Sequence, residues 1–545
     1  MASSTGASAP LTEGRKQAMD RLLDYYQYTM TLAGARISHQ TSLPARIPAA
    51  PPRSSVPELP DRSQALAWAR ADRHNLLACI EDARVSNPAR AVTLTAVLAP
   101  LLRLDGPWSD AADLHIAAAA TARLLGDQPG EANALQCHSE MRRLTGDHAG
   151  AGAAARQALH LYRELGDQSG EASTLFELGI LGYLTGEYTG SATALRQALD
   201  LYQSLGDRLG EANTLCNLSV ARRVTGDYSE ATILLERALQ LHQELGDALG
   251  EAGDLNELGI TRHLTGDFAG AIEAQRRALH LHHRLDYRPG QANSLHYLGN
   301  VLRSAGDYPG AADALREALD LHSNLGGRRF GEAVGFNQLG KVRLLTGDYT
   351  GAATLLERSL CLFRELESKA GEADTLNYLG TLRYRTGGYA EAAGILLESL
   401  RLCREIGDRR GTANALTDLG SLRRRTRDYS ASAAALRQAI DLYRDLGDLE
   451  GQAQALNETG RLNMAQKRLD QSVASHQAAI DLARRIGSPW NEAHALAGLG
   501  RCAQAAGRTA EAVEKLREAL RIFQRIGAAE QADLATEVAH ITDTK

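Results

Sequence analysis

"LGDRLGEANTL" occupies residues 205–215. Near-copies stand forty residues to either side, as "LGDQSGEASTL" at 165–175 and "LGDALGEAGDL" at 245–255. The glycines at 126, 166, 206 and 246 set a 40-residue period. One extra residue near "GGRRFGEA" (326–333) moves the later copies to 407, 447, 487 and 527. A fixed period of this size marks a repeat array, in which no copy can bury its apolar face alone and stacked neighbours share one core.

Each copy reads as two helices. In the copy at 208–247, Asp207 caps the first helix and "GEANTLCNLSVARRVTG" (210–226) fills it. Gly226 ends it, where a left-handed residue carries no side-chain strain. Asp227 caps the second helix, "YSEATILLERALQLHQELG". Pro129 and Pro289 open first helices and Pro309 opens a second, where a missing N–H is harmless. Gly179, Gly259, Gly299, Gly340, Gly380, Gly420, Gly460 and Gly500 share one slot inside the first helix. Each costs about 1 kcal/mol of helix propensity, which close approach of the paired helix is expected to offset. Ala192, Ala231, Ala271, Ala311, Ala352 and Ala392 are expected in the matching small slot of the second helix.

The expected fold is therefore all-α, an α-α superhelix (solenoid) of about ten to eleven helix pairs. Ten copies run over 128–528, and a divergent one precedes them, with "GPWSDAA" opening its second helix. Residues 61–127 form a helical adaptor and that first copy, and 529–545 a closing helix. Residues 1–60 hold an unstructured start to about residue 14, a short helix and a proline-rich linker. "SQALAWARADRHNLLACIEDARV" (63–85) reads as one helix with Ser63 as N-cap.

Composition agrees. The 545 residues are 44% hydrophobic and 23% charged but only 5% aromatic, a balance that favours helix over sheet. A net charge of −6 is small for this length and gives no basic field for nucleic acid. The six cysteines form no CxxC pair and read as free thiols of a reducing compartment. No signal sequence and no membrane-length apolar run is found, so a cytoplasmic location without membrane contact is expected.

The pattern in "LGNVLRSAGDYPGAADALREAL" (298–319) resembles the tetratricopeptide repeat, over about 128–528. The 40-residue form, with "ELGD" or "SLGD" where the common form has a closing proline, is similar to the repeats of kinesin light chains and spindle-orientation adaptors. The front of the chain, "MDRLLDYYQYTM" through "ALAWARADRHNLLACIEDA", resembles the spacer before the repeats in actinobacterial signal-transduction ATPases of the NB-ARC type. The chain departs from those proteins in having no GxxxxGK[ST]; "LGKVR" (339–343) is only a repeat glycine before Lys341, so no ATPase is expected. The resemblance implies the sensor half of such a regulator, cut out or encoded separately.

No residue set reads as catalytic, and no cofactor or metal is expected. His280, His282 and His283 cluster, but the slot of His242, His282 and His322 also accepts Tyr162, Tyr202, Cys403, Tyr443 and Phe523, so it is a packing slot. In tetratricopeptide arrays the first helices line the concave groove. Carried onto this sequence, the groove slots hold Asn213, Asn217, Asn256, Asn293, Asn337, Asn377 and Asn457. Asn is a poor helix former, so its recurrence on one face needs a reason. A ladder of amides suits the backbone of an extended peptide; the competing reading is hydrogen bonding between adjacent copies. Arg223, Arg303, Lys341, Arg424 and Arg461, with Tyr183, Tyr297, Tyr378 and Tyr384, stand around the amides and are of the types that anchor protein interfaces.

The expected function is non-catalytic binding of a protein or extended peptide in the concave groove, as the sensor or interaction module of a bacterial transcriptional or signalling regulator. An NB-ARC or P-loop protein is one expected partner. The alternative is a sensor domain that binds a small-molecule inducer, which a compact aromatic pocket would favour over an extended polar groove. Superhelical pitch and oligomeric state are not encoded legibly.

Overall fold

The period of 40 residues becomes a pair of helices of 17 or 18 residues in copy after copy. The computed structural model describes residues 9–37, 52, 56–324 and 329–543. Among the described residues there are 26 α-helices and no strand. Eleven consecutive pairs run from Pro88–Asp105 with Trp108–Leu125 to Pro489–Ala505 with Thr509–Ile526, and Gln531–Asp543 follows them. Most of the proline-rich linker lies outside the described residues, as does part of the stretch with the extra residue.

The chain divides into two compact units, residues 1–224 with 240–245, and residues 225–239 with 246–545. In the first, Ala9–Ile37, Arg62–Ala71 and Arg73–Ser86 pack on Pro88–Asp105 around Leu23, Met30, Leu76, Ile80 and Leu98. Three expectations change here. The first helix is 29 residues long and begins at Ala9, inside the stretch expected to lack structure. The helix expected over 63–85 is two helices that meet at Asp72, whose carboxylate accepts a 2.9 Å hydrogen bond from Tyr26 Oη. Its N-cap is Asp61, which accepts from the Gln64 N–H at 2.9 Å; Ser63 already lies in the first helical turn.

The repeated letters now separate by task. Asp207 accepts from the Gly210 N–H at 2.9 Å, and Asp227 from the Glu230 N–H at 3.1 Å, so one residue type caps both helices of the copy. Such a cap contributes about 1 kcal/mol. Gly210 is glycine for a second reason. A Cβ there would lie 2.4 Å from the Tyr202 ring, and the same clash recurs at Gly170 with Tyr162 and at Gly451 with Tyr443. The slot that accepts Tyr, His, Phe and Cys therefore packs on a glycine eight residues later.

The glycine inside the first helix does meet the paired helix. A Cβ on Gly299 would sit 2.5 Å from Leu315 Cγ and 3.2 Å from the Ala311 carbonyl oxygen. The small slot opposite holds Ala231, Ala271, Ala311, Ala352 and Ala392, all fully buried. Ala192 is not its member. Ser191 fills that place, fully buried, and donates from Oγ to the Gly179 carbonyl at 2.6 Å, while Ala192 is one residue out of register.

Candidate functional site

Neighbouring first helices are tied by polar side chains about one copy apart, and several of the expected groove residues of the second unit belong to these ties. In the second unit Asn256 Oδ1 accepts from Ser294 Oγ at 2.8 Å, and Asn337 Nδ2 donates to Thr375 Oγ1 at 2.8 Å. Asn377 Nδ2 donates to Asp418 at 2.9 Å, and Asn457 Nδ2 donates to the Asn491 carbonyl at 3.0 Å. Lys341 is buried, pairs with Asp374 at 2.7 Å and lies 4.3 Å from the Tyr378 ring centroid. Asn293 is exposed, and Tyr297 is half-buried with an edge contact to His296. In the first unit Asn213, Asn217, Arg223 and Tyr183 are half-buried. Asn217 Nδ2 donates to the Asn213 carbonyl at 2.9 Å, a bond within one helix.

The inner face of the second unit meets itself. The Ala529 N–H donates to the Leu345 carbonyl at 2.9 Å. Arg385 pairs with Glu530 at 3.2 Å, and Arg410 donates to Tyr228 Oη at 3.5 Å. A Cβ on Gly306 would lie 2.7 Å from Ile526 Cγ2 and from Pro489 Cγ. These partners are separated by 145 residues or more along the chain. The winding of successive copies brings them together, so this interior is a series of cavities where an open trough was expected.

Three cavities lie there, of about 600, 170 and 110 Å³. Arg303, Asn377 and Tyr378 reach the smallest, beside Asp418 and Glu450. Tyr384, Arg424 and Arg461 reach the largest. The other expected groove residues of this unit line none of the three.

The largest cavity is walled by five guanidinium groups, Arg385, Arg424, Arg425, Arg461 and Arg501, against two lining carboxylates, Glu530 and Asp533. Arg424 and Arg461 share the one carboxylate of Glu458, Arg424 at 3.3 Å. Arg501 pairs with Glu537 at 2.6 Å. Arg425 lies 5.6 Å from the Tyr384 ring centroid and, among the described residues, has no carboxylate partner.

Burial alone would raise the Glu458 carboxyl, but Arg461 and Arg424 override it and hold it at about 2. Burial acts on Glu530 in the same way, and His494 and Arg385 bring it to about 2. Burial, and next Arg461, push His476 down to about 3 and His494 to about 4, so both imidazoles are neutral at pH 7. In the smallest cavity burial lifts Asp418 to about 6 against the hydrogen bonds from Thr381 and Asn377. Such an interior can hold an anion or a polar partner group by charge-assisted hydrogen bonds. Among the described residues no three His, Cys, Asp or Glu side chains converge as a metal site needs, and no helix is long and apolar enough to cross a membrane.

Arg385 was not singled out from sequence, and Arg425 stands out there only within the basic run "SLRRRTRD" (421–428), which reads first as a solvated helix end and second as a place for an acidic peptide or phosphate; yet a further signal exists for both. They hold the last slot of the first helix in consecutive copies, where the other copies carry Leu144, Leu184, Val224, Leu264, Ser304, Leu345, Ala465 and Ala505. A charge in a slot that is otherwise almost wholly apolar is informative.

The model of the tetratricopeptide repeat family matches residues 170–244, 251–324, 290–365, 331–403, 371–445 and 451–525. No curated protein matches the chain. Among solved structures, a Rap protein complexed with Competence and Sporulation Factor is 13% identical, covers 65% of this chain and 98% of its own, and superposes with a TM-score of 0.52. BtubC from P. vanneervenii is 20% identical over 41% of this chain and 94% of its own, with a TM-score of 0.36. The apo form of RapI is 14% identical over 51% and 99%, with a TM-score of 0.43. At these identities the likeness concerns the fold alone.

Proposed function

We propose a partner-binding function without catalysis, and its premise is that the chain belongs to the tetratricopeptide repeat family. Fold does not fix function, so the reading rests on the site. The observation that carries it is the convergence of Tyr384, Arg424 and Arg461 on one cavity of about 600 Å³. Arg and Tyr at such a place are the usual anchors of an interface. The protein acts as an interaction module in the cytoplasm, in a transcriptional or signalling regulator. The front of the chain, similar to the spacer of NB-ARC regulators, makes a P-loop protein the first partner to look for.

A second reading has its own support. The interior is compact and partly aromatic, with Tyr384, Phe523, His476 and His494 on its wall, and its volume lies in the range of small-molecule sites. That favours an inducer-binding sensor over a groove for a long peptide.

Affinity capture from the native cell separates the site from the ladder. One variant carries Arg424→Gln, Arg461→Gln and Glu458→Gln, the last to avoid leaving a buried carboxylate unpaired. The other carries Asn256→Ala, Asn337→Ala and Asn377→Ala. Partners held by wild type and lost by the arginine variant, with its helical circular dichroism intact, support the proposal. Equal capture by wild type and the arginine variant removes this cavity as the partner site. A P-loop protein among the lost partners supports the regulatory setting.

A further inference from the structure

We infer that the 600 Å³ cavity of the second unit is a binding site for a small phosphate-bearing molecule. The inference rests on the inducer-sensor reading and names the chemistry of its ligand. Its wall draws arginines from three successive first helices, Lys369–Arg385, Arg409–Arg425 and Leu449–Ala465, and from a fourth, Pro489–Ala505. The slot of Arg385 and Arg425 is Leu345 before them and Ala465 and Ala505 after them, so stacking the copies does not require a charge there.

Taking guanidinium groups out of water is costly unless carboxylates or another anion meet them. Here the neutralisation is incomplete. Glu458 serves both Arg424 and Arg461. Arg425 is exposed to water beside the Tyr384 ring and, among the described residues, meets no carboxylate, so its charge is free for a ligand. The Nε of Arg424 is buried and makes no hydrogen bond. Asp533, the second lining acid, is exposed. The planar fork of arginine matches phosphate oxygens two at a time, and several forks around one space favour a group with several oxygens over a single carboxylate. Tyr384 and Phe523 supply apolar faces for the rest of such a molecule. His476 and His494 stay neutral there and add no charge.

Calorimetric titration of the full chain at low salt tests this, with inorganic pyrophosphate and adenosine monophosphate as probes. Ribose, a phosphoserine peptide and the variants Arg425→Ala and Arg437→Ala are the comparisons. Arg425 and Arg437 are both exposed, and Arg437, outside the cavity lining, donates to the Ala433 carbonyl of its own helix, so neither change should disturb the fold. The expected result is binding of at least one phosphate probe. It should weaken about tenfold or more in Arg425→Ala and be unchanged in Arg437→Ala. Failure of both phosphate probes overturns the inference, as does equal weakening by the two variants or binding of the phosphoserine peptide alone. Binding of ribose without either phosphate probe also overturns it, yet leaves the inducer-sensor reading standing.

Discussion

Between pH 7 and pH 5 the second unit loses several kcal/mol of its stability. Burial, the largest cause in each case, holds His263 at about 3, His296 at about 4, His476 at about 3 and His494 at about 4. In the unfolded chain all four titrate near 6.5. As pH falls through 6.5 the unfolded state takes up protons that the folded state refuses, so folding weakens. Each histidine contributes up to about 1.4 kcal/mol per pH unit until its folded value is reached. Asp418 acts in the opposite direction. Its folded value of about 6 lies above that of a free carboxyl, so the folded state gains protons first and recovers part of one group's loss. Glu450, also raised by burial, does the same. Glu458 and Glu530, held at about 2, keep their contribution above pH 4.5 and lose it only below. Urea melts at pH 7.5, 6.0 and 5.0 read this directly. His494→Gln should flatten the slope, and a midpoint unchanged from pH 7.5 to 5.0 would show that the imidazoles are not buried.

Gly306→Ala costs more than Gly387→Ala, although both glycines have left-handed backbone, with φ of +84° and +92°. That conformation costs an alanine about 1–2 kcal/mol at either site. At Gly387 the new methyl group meets nothing within 4 Å. At Gly306 it meets Ile526 and Pro489 at 2.7 Å, atoms from copies more than 180 residues away. Overpacking of that kind adds about 1–3 kcal/mol. The difference between the two variants in denaturant melts therefore isolates the closure of the interior from the turn itself. Ile526→Ala removes the Cγ2 that the new methyl group meets, so its cost and that of Gly306→Ala should be less than additive in the double variant. Equal costs of the two glycine variants would mean that the distant copies do not touch.

These two results draw on different parts of the sequence. The caps, the left-handed turn at Gly226 and the aromatic slot opposite Gly210 are local, so they recur every forty residues and can be read from one copy. Gly306 looks like any other turn glycine because its second task depends on winding. A small rotation per copy accumulates until Gly306 faces Ile526, and no single copy records that sum. The amides show the same limit. Their recurrence in a helix announced a hydrogen-bonding role, but Asn337 and Asn457 face a neighbouring copy while Asn377 also reaches a cavity, and a slot number does not separate these. Arg385 and Arg425 were legible as a break in an apolar slot, a signal that asks for comparison between copies and not within one. The fold is written in what the copies share, and the site in where they differ.

The closed interior is the claim on which the cavity and its ligand both depend. The Ala529 amide tests it most directly, because its one backbone partner among the described residues is the Leu345 carbonyl, 2.9 Å away and 184 residues earlier. In native-state hydrogen exchange the closed interior predicts that Ala529 is protected as strongly as the amides of the helix Lys369–Arg385. Exchange at the rate of an unstructured peptide, while that helix stays protected, would contradict it.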